Sequence, residues 1–286
     1  MRVEDLDGPR VRPGLEARIL AELRWLGLDW DEGPDLAAGG GPHAPYRQSE
    51  RSERYAAALE ALRRAGAVYP CFCSRQEIAR ASEAPHGPAD EGPRYPGTCR
   101  ELGEAEVRER SAARRPAWRL RVPEGTVEFR DAVHGSVAFD VQAATGDFVV
   151  MRADGIAAYQ LAVVVDDAAM AITDVVRGDD LLPSTARQLL LYRALGLDPP
   201  RFGHVPLVVG EDGARLAKRH GARSLGELRE AGADPREVVG LLASSCGLAG
   251  AGSRESPGEL VEGFRLDAIP REPAILRTAD VEALVR

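Results

Sequence analysis

Two apolar runs, Ile156 to Val165 and Ala169 to Val176, separated by little more than an Asp-Asp pair, restrict what this chain can fold into. Runs without polar alternation are buried on both faces, the pattern of strands or helices in a parallel α/β sheet. With 286 residues the chain can enclose such a core in one large domain or two modest ones. No apolar run approaches the ~20 residues of a membrane span, so no membrane partner is expected. The charged start, Met1 to Arg10, does not read as a signal peptide, and the expected location is the cytoplasm.

Before those runs, Arg2 to Asp7 reads as the end of a strand. Leu15, Ile19, Leu20, Leu23 and Leu26 recur at helical spacing up to Gly27. A second helix with Tyr55, Leu59 and Leu62 follows Ser52, and Ala67 to Phe72 is a short strand. The alternation in Trp118 to Val122 and Val137 to Val141 suggests antiparallel strands. Residues 1–66 and 151–222 are thus expected to form the two parts of one main domain, with 67–150 inserted between them. Residues 223–286 are expected to form a short helical tail, in which Ser256 and Glu259 make a capping box.

The inserted stretch is polar between residues 73 and 115, so its order should come from something other than a core. Cys71, Cys73 and Cys99 lie within it, and four cysteines in so long a chain are too few for a disulfide scaffold. Zinc takes four ligands in a tetrahedron, which leaves Tyr95 or His86 as the candidate fourth.

The net charge of -8 argues against a protein that grips long stretches of nucleic acid, though not against a local contact with a folded RNA. Lys218 is the only lysine among 37 basic residues. In so arginine-rich a chain a surviving lysine suggests a site that needs a compact point charge, as at a phosphate. Glu4, Tyr159 and Arg177 each end an apolar segment, where open α/β sheets place their ligands. Together they suit a small amino acid: Arg177 for its carboxylate, Glu4 for its ammonium, and Tyr159 for a further hydrogen bond.

Arg2-Val-Glu-Asp-Leu-Asp, Gln48-Ser-Glu-Arg, Tyr159-Gln-Leu-Ala-Val-Val-Val-Asp-Asp, Val176-Arg-Gly-Asp-Asp-Leu-Leu and Arg215-Leu-Ala-Lys-Arg occur in the order seen in glutamyl-tRNA synthetase catalytic domains. From Arg2 to about Arg223 the chain resembles that class I family, and in particular its short branch, the glutamyl-queuosine tRNA(Asp) synthetases. The resemblance implies a Rossmann-like catalytic domain with an inserted zinc-containing α+β subdomain. It also implies ATP-dependent activation of glutamate without tRNA, and transfer of glutamate to queuosine at the wobble position of tRNA(Asp). By matched position Glu4, Tyr159 and Arg177 are glutamate-binding residues, and Leu207 and Val208 hold adenine through the backbone. Arg215 and Lys218 fall on the phosphate-contacting lysine loop, with magnesium on ATP. Cys71, Cys73, Tyr95 and Cys99 match the zinc ligands of the short branch. The 67 residues after Arg219 are too few for the helical anticodon-binding region of a full glutamyl-tRNA synthetase, and Val163 matches the short enzymes.

The chain departs from the family in two places. Arg215 and Ala217 replace a lysine and a serine of the loop, and no His-x-Gly-His motif is present. The family carries that motif ahead of Glu4 on the first strand of the sheet, so a longer natural protein, with Met1 an internal start, is expected. The alternatives are a non-catalytic zinc-stapled relic that binds RNA or protein, and one part of a split glutamyl-tRNA synthetase.

Overall fold

The structure, a computed structural model, describes residues 1–6, 8, 11–36, 40–81, 94–214, 216 and 223–285. Helix α1 (Leu15–Trp25) starts after Gly14, whose φ of 80° is left-handed backbone that glycine adopts without strain. Helix α2 (Ser52–Arg64) buries Tyr55, Leu59 and Leu62, a single face at four- and three-residue intervals. Next come β1 (Val68–Cys71), α3 (Arg75–Ala81), α4 (Glu104–Ala113), β2 (Ala117–Leu120), β3 (Val127–Asp131), β4 (Gly135–Phe139), α5 (Val141–Ala144) and β5 (Val149–Met151). Then α6 (Tyr159–Ala169), β6 (Asp174–Gly178), α7 (Leu182–Leu195) and β7 (Arg201–Val205) complete the main core. Beyond it lie β8 (Val208–Val209), α8 (Leu225–Glu230), α9 (Pro235–Ser245), α10 (Pro257–Leu260), β9 (Ala274–Ile275) and α11 (Thr278–Ala283). Among the described residues no helix is long and apolar enough to cross a membrane.

The fold is α/β, but its sheets are mixed rather than parallel. A four-stranded sheet has the order β4-β3-β7-β6. In it β6 runs parallel to β7, Asp131 of β3 bridges in parallel to Phe202 of β7, and β3 and β4 are antiparallel. The turn between Asp131 and Gly135 is too short for a parallel crossover, which needs a dozen or more residues, so that pair has to be antiparallel. Because β3 and β4 come from within residues 67–150, that stretch does not form a sheet apart. Only β1-β2-β5 makes a separate three-stranded layer from it.

The apolar runs, expected as strands or helices buried on both faces, resolve into one helix and one strand. The first becomes α6, which stays helical despite Val163 to Val165 because its faces are packed: Leu161, Ala162, Val163 and Val164 are all buried. Tertiary burial outweighs the modest helix penalty of β-branched residues. The second ends in β6 at the sheet edge, where Val176 is 52% exposed. Helix α7 lies against α6, α2 and β3 and is buried from Ser184 to Tyr192. The expected strand at Arg2 to Asp7 is reduced to one parallel bridge between Val3 and Arg47.

Two consecutive aspartates of α6 fasten the amino-terminal part to this core. Asp166 accepts from Gln48 Nε2 at 2.9 Å, Arg51 Nε at 2.6 Å and Tyr55 Oη at 2.8 Å. The Arg51–Asp166 pair is fully buried, and removing one partner of such a pair costs about 3–5 kcal/mol. Asp167 pairs with Arg2 at 2.5 Å. The carboxy-terminal region is helical, with the capping box at Ser256 and Glu259 formed. It also holds a strand not foreseen from its sequence: β9 runs back to pair in parallel with β8.

Candidate active site

Tyr159 is the first residue of α6, Arg177 lies near the end of β6, and Glu4 follows the residue that bridges to Arg47. These positions come from three chain segments, yet all three side chains line one cavity of about 450 Å³, together with Arg2, Val163 and Asp167. Arg2 joins Asp167 to Glu4, its Nη2 donating to Glu4 Oε1 at 2.9 Å. Burial raises the Asp167 carboxyl above its ordinary pKa, against the lowering effect of Arg2.

Arg177 is fixed from behind. Its Nε donates to His204 Nε2 at 3.0 Å, and its Nη2 donates to Thr185 Oγ1 at 2.7 Å and Gln188 Oε1 at 2.9 Å. Nη1 is the nitrogen these bonds leave over. Burial lowers the guanidinium pKa, but arginine remains protonated at neutral pH. The cavity thus offers a cation and an anion to a small zwitterion. Beside it a Cβ on Gly178 would lie 2.6 Å from Asp180 Oδ1, so any side chain there would displace the Asp180 carboxylate.

Leu207 and Val208 lie just past β7, with Val208 the first residue of β8. The amides of Ala274 and Leu276 donate to the carbonyls of Leu207 at 3.0 Å and Val209 at 2.9 Å. By strand alternation the N–H and C=O of Val208 point to the opposite edge. Arg215 and Lys218 lie outside the described residues, as does His86.

A second site lies at the end of β1. The sulfurs of Cys71, Cys73 and Cys99 fall within 4.8 Å of one another, with Cys73 and Cys99 3.5 Å apart. A tetrahedral zinc with bonds of about 2.3 Å sets sulfurs about 3.8 Å apart, so the three residues are clustered closely enough to hold a metal. Tyr95 Oη stands 3.4 Å from Cys71 Sγ and 3.9 Å from Cys73 Sγ, and accepts from the Cys99 amide at 2.8 Å. Burial raises the Cys71 thiol, but the Tyr95 hydrogen bond and the Arg119 guanidinium bring it below its ordinary pKa. Burial and the charge of Cys71 push Cys73 up to about 12. A metal bound here would displace the protons that the thiols still carry.

Sequence reading missed Arg119, which stacks 3.7 Å from the Tyr95 ring centroid, and it missed Asp131, Thr185, Gln188 and His204 behind Arg177. Arg119 sits within an alternating strand, where an arginine reads as the solvent-facing position. A histidine inside the otherwise apolar Phe202 to Val205 was the available signal for the other group.

Comparison with known proteins accords with this geometry. The family model for tRNA synthetases class I (E and Q), catalytic domain, matches residues 1–256. A glutamyl-Q tRNA(Asp) synthetase of Symbiobacterium thermophilum is 53% identical over 99% of this chain and 87% of its own length. The corresponding protein of Nitratidesulfovibrio vulgaris is 47% identical over 96% of this chain and 84% of its own. Glutamate–tRNA ligase 1 of Halorhodospira halophila is 49% identical, but this chain spans only 50% of it. A solved glutamate tRNA ligase of Elizabethkingia meningosepticum, in complex with its amino acid, superposes with a TM-score of 0.83 at 28% identity. This chain covers 61% of that one. Fold, family model and relatives agree: the chain belongs to the class I (E and Q) tRNA synthetases, ligases among which it is similar to the glutamyl-Q tRNA(Asp) synthetases over more than four fifths of their length.

Proposed function

We propose that this protein activates glutamate with ATP, without tRNA, and transfers the glutamyl group to queuosine at the wobble position of tRNA(Asp). The observation that carries the proposal is the cavity in which Glu4, Tyr159 and Arg177 converge from three segments. Relatives bearing the glutamyl-Q name are 53% and 47% identical over 87% and 84% of their own lengths, which supports the short branch.

In this reading Arg177 Nη1 holds a glutamate carboxylate, Glu4 accepts from the ammonium, and Tyr159 adds its hydroxyl. Which carboxylate Arg177 holds decides which one attacks the α-phosphate of ATP, so the protein's contribution is orientation and charge. The free backbone edge of Val208, with Leu207, receives the adenine. Arg215 and Lys218 approach the phosphates, and magnesium bound with ATP supplies charge neutralisation there. Cys71, Cys73, Cys99 and Tyr95 hold one zinc whose work is structural, ordering the segment around them. The tRNA contact is the anticodon stem-loop that carries queuosine, and the setting is the cytoplasm.

The test is glutamate binding by titration calorimetry, followed by glutamate transfer to tRNA(Asp) with and without queuosine. Replacing Arg177 by alanine removes a charge-assisted contact of roughly 1.5 to 3 kcal/mol, so Arg177→Ala should weaken glutamate binding about 10- to 150-fold. Unchanged affinity would remove Arg177 from the site. Equal transfer to tRNA lacking queuosine would remove the proposed acceptor.

A further inference from the structure

Arg177 is held by a side chain that is itself held. In the β6–β7 pairing Arg177 lies opposite His204, and Asp131 reaches the same histidine from β3. His204 and Asp131 are both fully buried, with His204 Nδ1 2.7 Å from Asp131 Oδ2. The other oxygen, Oδ1, accepts from the amides of Val133 and His134 at 2.9 Å each and of His204 at 3.3 Å. Burial would raise the Asp131 carboxyl, but the His134 amide, the His204 ring and the remaining amides hold it below its ordinary pKa.

A carboxylate only accepts hydrogen bonds, so His204 must donate from Nδ1. On the other side Arg177 Nε has only a hydrogen to give, 3.0 Å from His204 Nε2. Nε2 must therefore carry a lone pair. Both requirements are met by one state of the ring: neutral, with its proton on Nδ1. Burial favours the neutral form, lowering the His204 pKa against the pull of Asp131. Thr185 Oγ1, which accepts from Arg177 Nη2, stands 3.1 Å from the same Nε2 and closes the arrangement.

We propose that Asp131 and His204 form a tautomer lock that orients the Arg177 guanidinium for its ligand. Asp131 fixes the proton on Nδ1, the ring then presents an acceptor to Arg177 Nε, and the guanidinium of this cavity-lining residue is held at a set angle. Both are positioning residues, since neither lines the cavity. The inference rests on the reading of Arg177 as the carboxylate-binding residue, and the experiment separates the two.

The variant is Asp131→Asn, nearly equal in volume. Its carbonyl oxygen can keep the backbone amides, while its NH₂ meets His204 Nδ1 and drives the ring proton to Nε2, against the Arg177 N–H. Two measurements follow: ¹⁵N chemical shifts of the His204 ring, and glutamate binding by calorimetry beside an Arg177→Lys reference. The expected result is an Nδ1–H ring in the unsubstituted protein, an Nε2–H ring in Asp131→Asn, and glutamate binding weakened about tenfold, the scale of one charge-assisted hydrogen bond. An Nε2–H or doubly protonated ring in the unsubstituted protein would overturn the lock, and that measurement decides the matter even if Asp131→Asn does not fold. Unchanged binding in Asp131→Asn beside weakened binding in Arg177→Lys would also overturn it. Unchanged binding in Arg177→Lys, with the ring tautomers as expected, would instead overturn the reading of the cavity.

Discussion

At the scale of single residues two buried titratable groups in the middle of the sheet, His204 and Asp131, contribute to how this protein responds to acid. His204 is neutral and buried, and its pKa is lowered by that burial. In the unfolded chain the same histidine takes up a proton near pH 6.5. Between those values the unfolded state binds more protons than the native one, so stability falls as the pH drops through about 6.5. Asp131, whose pKa is lowered, holds its contribution until the pH falls through its own folded value, in a more acidic window. Denaturant unfolding at neutral pH and at about pH 5.5 should show a larger acid loss in the unsubstituted protein than in His204→Gln. Equal losses would mean that His204 is not the group responsible.

At the scale of elements the thiol site tests whether a segment poor in apolar residues depends on a metal. Cys71 closes β1 and Cys99 sits in a turn that Tyr95 reaches through its hydroxyl. Purified protein should carry one zinc per chain, and a chelator should lower the melting temperature. Cys99→Ser should abolish stoichiometric metal, and retention of metal in that variant would exclude the site. The three cysteines were legible in the sequence because their spacing is unusual for a chain with so few. The helices with clear periodicity, α1 and α2, were legible too. The apolar runs were not, because a short fully buried segment has no period to distinguish strand from helix. The site divides the same way. Glu4, Tyr159 and Arg177 could be picked out as ends of apolar segments, whereas the groups behind Arg177 come from β3, β7 and α7. Their meeting depends on sheet order, which no local pattern encodes.

At the scale of the whole molecule the carboxy-terminal region packs against the end of α1, in a buried cluster of its own beside the main core. Leu228 of α8 and Val238 and Val239 of α9 share a buried cluster with Leu26, at the end of α1, and Val281 of α11. Leu228→Ala should cost about 2–5 kcal/mol, the usual range for deleting a buried leucine side chain. Because the cluster includes α1, the loss should appear as a shift of one cooperative melting transition. A separate low-temperature transition in calorimetry would show that the region unfolds alone.

The β8–β9 pairing gives this architecture a timetable. Val208, on the strand proposed to face adenine, has its register partner at Ala274. On the ribosome that partner is made about 66 residues later, a wait of roughly 3 to 13 s at about 5–20 residues per second. Through that interval β8 is a strand without its neighbour. A message cut short between the codons for Val209 and Ala274 therefore yields a chain that carries every segment lining the cavity of about 450 Å³ but lacks the strand that pairs with β8.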